Sequence, residues 1–137
     1  MKRHATAVWN GSGKDGNGHL TTQSTVLNKT QYSFNSRFAD GVGTNPEELV
    51  AAAHAGCYTM SLSFGLNKAG FTAESLETTA FINFENGTIT GSHLVVKAKV
   101  AGIDQSALEA IAKESEQTCP VSRALSVEIS SEVLLVG

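Results

Sequence analysis

Asn45-Pro-Glu-Glu-Leu-Val-Ala-Ala-Ala-His-Ala-Gly-Cys-Tyr-Thr-Met-Ser-Leu-Ser-Phe-Gly-Leu-Asn-Lys-Ala-Gly70 is the stretch around which the rest of the chain has to be arranged. Asn45 is a helix-capping side chain, and Pro46 suits the first helical position, where a missing N–H is no loss. Glu48 is placed to complete a capping box, and both acids favour the positive end of the helix dipole. Gly70 supplies a left-handed stop. A helix over residues 46–69 would run about 36 Å. From Leu49 to Phe64 small and apolar residues occupy nearly every face, the pattern of a helix surrounded by protein. His54 and several hydroxyls argue against a membrane span.

Upstream, residues 4–10, 19–27 and 31–38 read as strands, and the glycine-rich segment 11–18 reads as a hairpin connection. That segment has no Gly-Lys-Ser/Thr and no helix pattern after it, so a phosphate cradle is not expected. Downstream, Ala80, Ile82 and Phe84 share one face of a strand over 76–85, and Leu94, Val96, Ala98 and Val100 share one face of a strand over 94–100. Asn86-Gly87 is a strong hairpin turn between them. Asp104 is the expected cap of a second helix over 105–116, followed by a helical turn from Pro120 to Leu125 and a last strand over 127–136.

The expected order is β-β-β-α-β-β-α-β, a single α+β domain over residues 1–137 in which sheets cover a long central helix. The small residues Ala51-Ala-Ala-His-Ala-Gly56 allow another backbone to approach closely, which predicts a homodimer with paired central helices.

A chain of 137 residues buries roughly two-thirds of its unfolded surface, so no structural staple is needed. Residues 1–11 carry no continuous apolar stretch, so neither a signal peptide nor a membrane anchor is expected and the expected location is cytoplasmic. There, paired thiols are more often catalytic or redox-sensing than structural. A net charge of −3 gives no basic footprint for nucleic acid.

Cys57 and Cys119 are the only cysteines. Cys57 lies too far past the helix cap for the dipole to lower its pKa, so another positive group would have to stabilise its thiolate. His54, three residues earlier, gives a possible Cys-His pair, beside the plainer reading of a packed histidine. No paired ligand spacing supports a metal site. Arg37, placed on a strand in this reading, and Glu47, at the helix start, are each explicable as ordinary surface or helix-end charges.

Gly43-Thr-Asn-Pro-Glu-Glu-Leu-Val-Ala-Ala-Ala-His-Ala-Gly-Cys57, Cys119-Pro-Val-Ser122, Phe34-Asn-Ser-Arg-Phe38 and Trp9-Asn-Gly11 together resemble the OsmC/Ohr family of osmotically inducible and organic hydroperoxide resistance proteins. The placement of Arg37 is more like the OsmC branch. Two departures are Gly56, where alanine is common, and Thr118, where glycine is common. The resemblance implies an intertwined homodimer that reduces organic hydroperoxides, and hydrogen peroxide less well, to alcohol and water in stress defence. Cys57 would be the peroxidatic cysteine and Cys119 the resolving one, joined in a disulfide. Arg37 and Glu47 would be the polar pair around the reactive thiol, with Glu47 holding the guanidinium through a bidentate contact. Sulfur carries the redox change, so no cofactor or metal is implied, and the reductant would be a dithiol such as a lipoylated protein. Leu49, Met60 and Phe64 on the helix of Cys57 suit an alkyl or fatty-acid hydroperoxide. The alternatives are a non-catalytic dimer binding an apolar ligand and a Cys-His acyl-transfer enzyme using Cys57 and His54.

Overall fold

The computed structural model describes residues Met1–Gly137, which group into two compact units, Met1–Leu49 and Val50–Gly137. In the first unit β1 (Ala5–Asn10), β2 (Asn17–Thr22) and β3 (Thr30–Tyr32) form an antiparallel sheet in that order. The glycine-rich segment is the β1–β2 connection, as expected, closed by Gly16 N–H donating to the Ser12 carbonyl at 2.8 Å.

Residues 34–38 depart from expectation. They form a one-turn helix, α1 (Phe34–Phe38), rather than a strand. Ser33 caps it, with reciprocal bonds to Ser36 of 2.7 and 3.2 Å that satisfy donors at the helix start. The Phe34-x-x-x-Phe38 spacing that reads as strand alternation also places two residues one above the other on a helix, and their rings meet at 4.8 Å.

The long helix α2 (Pro46–Lys68) starts and stops where the sequence places it. Asn45 Oδ1 accepts from the Glu48 N–H at 2.8 Å, but the Glu48 carboxylate accepts from the Thr44 hydroxyl at 2.7 Å instead of closing the expected box. By length and composition α2 also passes for a membrane span. Its inward stripe of His54, Tyr58, Leu62 and Leu66 is fully buried, at the four-residue spacing of one helix face, which identifies a core helix.

In the second unit β4 (Ala73–Glu85) and β5 (Thr88–Val100) form the expected hairpin, with Asn86 and Gly87 at φ of 51° and 75°. Such a turn favours residues that tolerate the left-handed region. β6 (Glu128–Leu135) joins β5 in parallel, the crossover being made by α3 (Gln105–Thr118) and α4 (Pro120–Ala124). Asp104 caps α3 by accepting from Ala107 N–H at 2.8 Å. Leu94, Val96, Ala98 and Val100 of β5 join Tyr58, Leu62, Leu66, Leu108 and Cys119 in one core. The expectation that α2 is surrounded by protein fails within one chain: Met60 and Phe64 are 61% and 66% exposed.

Candidate active site

The second unit brings Cys57 and Cys119 close enough for each thiol to shift the other's pKa, both as free thiols. Each arrives on a different kind of support. Cys57 is mid-helix on α2 and half-buried, whereas Cys119 ends α3, caps α4 and is fully buried. The break at Cys119-Pro120 sets where the thiol sits: proline opens α4 directly after Cys119, whose side chain makes no capping hydrogen bond to the helix start.

The two thiols are driven in opposite directions. Burial pushes Cys57 up, only partly offset by the Val121 backbone, and Cys119 beside it adds to the rise. Burial also pushes Cys119 up. There, the donor groups around the sulfur, the Ser122 backbone first and then the Cys57 thiol and the Ser122 hydroxyl, outweigh it, so the net direction is down.

A buried polar chain continues from the thiols. His54 Nε2 lies 2.7 Å from Ser122 Oγ, and its Nδ1 lies 2.6 Å from Ser92 Oγ on β5. His54 is completely inaccessible, so burial pushes its pKa down, with the Glu116 charge partly opposing. The ring does not bond to Cys57; both its nitrogens belong to serines. Nothing in the sequence singles out Ser92, a lone serine on an apolar strand. Ser122 had one signal, its place one helical turn after a cysteine, as His54 lies one turn before the other.

The first unit brings Arg37 and Glu47 together. Arg37 Nε donates to Glu47 Oε1 at 2.9 Å, while Glu47 Oε2 is buried and has no hydrogen-bond partner, so the expected bidentate contact is not formed. The guanidinium also stacks over Phe38 at 5.1 Å. Beside it a cavity of about 250 Å³ is lined by Trp9, Tyr32, Phe34, Phe38 and Arg37 itself. Along α2, Glu47 and Cys57 are ten residues apart, about 15 Å of helix rise. No cluster of three or more histidine, cysteine or acidic side chains is arranged to hold a metal ion.

The sequence model of the OsmC-like proteins matches residues 39–133. Peroxiredoxin OsmC of Escherichia coli is 43% identical over 98% of this chain and 97% of its own. An organic hydroperoxide resistance protein of Xanthomonas axonopodis pv. citri is 32% identical over 63% of this chain and 62% of its own. Among solved structures, the OsmC-like protein of Mycoplasma pneumoniae aligns with a TM-score of 0.78 at 14% identity, covering 100% of this chain and 99% of that one. OhrB of Bacillus subtilis aligns with a TM-score of 0.67 at 23% identity, covering 97% and 98%. The family model matches most of the chain and the similarity to a relative runs along nearly all of it, so the chain belongs to the OsmC-like protein family.

Proposed function

We propose that this protein is a cysteine-based peroxidase that reduces organic hydroperoxides, and hydrogen peroxide less well, to alcohol and water. The observation that carries the reading is the pairing of an accessible thiol, Cys57, with an inaccessible one, Cys119, in a chain 43% identical to a peroxiredoxin. Only Cys57 can meet a substrate; its thiolate attacks the O–O bond and becomes a sulfenic acid. Cys119 then displaces the hydroxyl to form a disulfide. Sulfur supplies all the redox chemistry, and a dithiol, such as a lipoyl group, returns the pair to thiols.

Arg37 and Glu47 complete the site in this reading. Arg37 brings a permanent positive charge that favours the Cys57 thiolate against its burial, and Glu47 orients the guanidinium. The 15 Å or so of helix between Glu47 and Cys57 favours an origin in a second copy of the chain, or action through the reach of Arg37. We therefore assign one domain over residues 1–137, a homodimer and a cytoplasmic location. The aromatic cavity beside Arg37 suits an alkyl or aryl hydroperoxide better than hydrogen peroxide.

Treatment with stoichiometric cumene hydroperoxide, followed by thiol counting and intact mass, tests the reading. Loss of both thiols with a mass decrease of about two hydrogens is expected. Unchanged thiols overturn it, and faster initial rates on hydrogen peroxide than on cumene or fatty-acid hydroperoxides overturn the substrate assignment.

A further inference from the structure

Resting on the peroxidase reading and deepening it, we propose that His54, clamped between Ser92 and Ser122, is a positioning residue for disulfide closure. It fixes the Ser122 hydroxyl as a donor to Cys119.

The protons available around His54 decide its tautomer. A neutral imidazole has one donor and one acceptor nitrogen, and a serine hydroxyl has one proton. His54 is completely buried, with serine oxygens 2.6 and 2.7 Å from its two nitrogens. Ser122 Oγ is bonded to His54, and Ser122 lies one turn along α4 from Cys119, the sulfur to which its proton would go. Only one tautomer serves both. With Nε2 protonated, Nε2–H donates to Ser122 Oγ, the Ser122 proton goes to the Cys119 sulfur, and the Ser92 hydroxyl donates to Nδ1. With Nδ1 protonated, the Ser122 proton is drawn to Nε2 and Cys119 loses its hydroxyl donor. The first arrangement is the one proposed, since it alone leaves the Ser122 proton free for the Cys119 sulfur.

The surroundings favour a ring that stays neutral. Ser92 from β5 and Ser122 from α4 are uncharged, and the one charge acting on the ring is Glu116 of α3, which is engaged by Ser131 at 2.5 Å and by Lys113 at 3.5 Å. Burial outweighs that charge and holds the imidazole pKa down.

The step served is resolution. The hydroperoxide has by then oxidised Cys57 to the sulfenic acid and left as alcohol. The Cys119 thiolate attacks the Cys57 sulfur, the S–S bond forms as the S–O bond breaks, and the departing hydroxide takes a proton from solvent to become water. Donation from Ser122 favours the thiolate, the attacking form of Cys119. The same chain holds the thiol in place, since Ser122 lies one turn along α4 from Cys119.

Two measurements test this. In a Cys57→Ser background, the ultraviolet absorbance of the thiolate titrates Cys119 alone, with no peroxide present. Ser122→Ala and His54→Gln are each expected to raise the midpoint by about one unit, a tenfold loss of thiolate in the neutral range, and Ser122→Thr to restore it. In single turnovers with cumene hydroperoxide, the same variants with Cys57 intact are expected to slow disulfide formation about tenfold relative to sulfenic acid formation, so that a dimedone-type trap captures more Cys57. His93→Gln, a partly exposed histidine also bonded to a serine, is the control and is expected to change neither. An unmoved Cys119 midpoint in Ser122→Ala overturns the proposal even if the wild type is a peroxidase. A raised midpoint alongside a wild type that forms no disulfide supports the hydrogen-bond chain and overturns the peroxidase reading on which its role in closure depends.

Discussion

His54 ties the thiol site to stability as well as to chemistry. Its folded-state pKa lies below the ordinary value of 6.5 because the charged ring cannot be hydrated where it sits. As pH falls through about 6.5, the unfolded chain takes up a proton that the folded chain refuses, so folding weakens. Denaturant midpoints are therefore expected to fall as pH is lowered from 7 through about 6.5 and below, and His54→Gln is expected to flatten that slope. An equal slope in the two proteins would mean that other groups set it. Arg37 makes a different prediction, because its role rests on geometry as much as on charge. Lysine keeps the charge but loses the planar fork and the stacking over Phe38. On the proposed function, Arg37→Lys is expected to lower the second-order rate with cumene hydroperoxide by about tenfold or more while leaving the fold intact, measured by stopped-flow beside circular dichroism.

Helix α2 divides its labour between two faces, and single substitutions should separate them. Leu62 lies fully buried against the β5 side chains, so Leu62→Ala is expected to cost about 2–5 kcal/mol of unfolding free energy in urea titrations. The bounds of this helix were legible because every signal agreed: a cap, a proline, two acids and a terminal glycine. The β4–β5 hairpin was legible because Asn86-Gly87 can hardly serve any other turn. The five residues of α1 were not. A run that short offers two apolar side chains four apart, which fits either period, and the deciding feature was a serine cap whose partner is another serine rather than the usual Glu or Gln. Of the site, the two cysteines, Arg37 and Glu47 were visible as residues, and the structure brings each pair together. Ser92 was invisible, since its bond to His54 spans 38 positions and depends on how β5 lies against α2.

Ala52, Gly56, Met60 and Phe64 recur every four residues along α2 and all are exposed, leaving an apolar ridge beside an open groove of about 700 Å³ between α2 and β4. An isolated chain gains nothing from such a face, whereas a second copy packing there would bury it and let two small-residue helices approach closely. A homodimer is therefore expected by sedimentation equilibrium, and Phe64→Glu is expected to yield monomers. The assembly also bears on catalysis. If Arg37 and Glu47 serve the Cys57 of the other copy, Cys57→Ser and Arg37→Ala are complementary defects: each is inactive alone, yet a mixed dimer contains one complete site, with Cys57 from one chain and Arg37 from the other. Unfolding and refolding the two variants together is expected to give mixed dimers as about half of the population and to recover about a quarter of wild-type activity, since each mixed dimer has one working site of two. If Arg37 instead reaches the Cys57 of its own chain, the mixture stays as inactive as its parts, because every chain then carries one of the two defects. Peroxide consumption before and after subunit exchange distinguishes these arrangements.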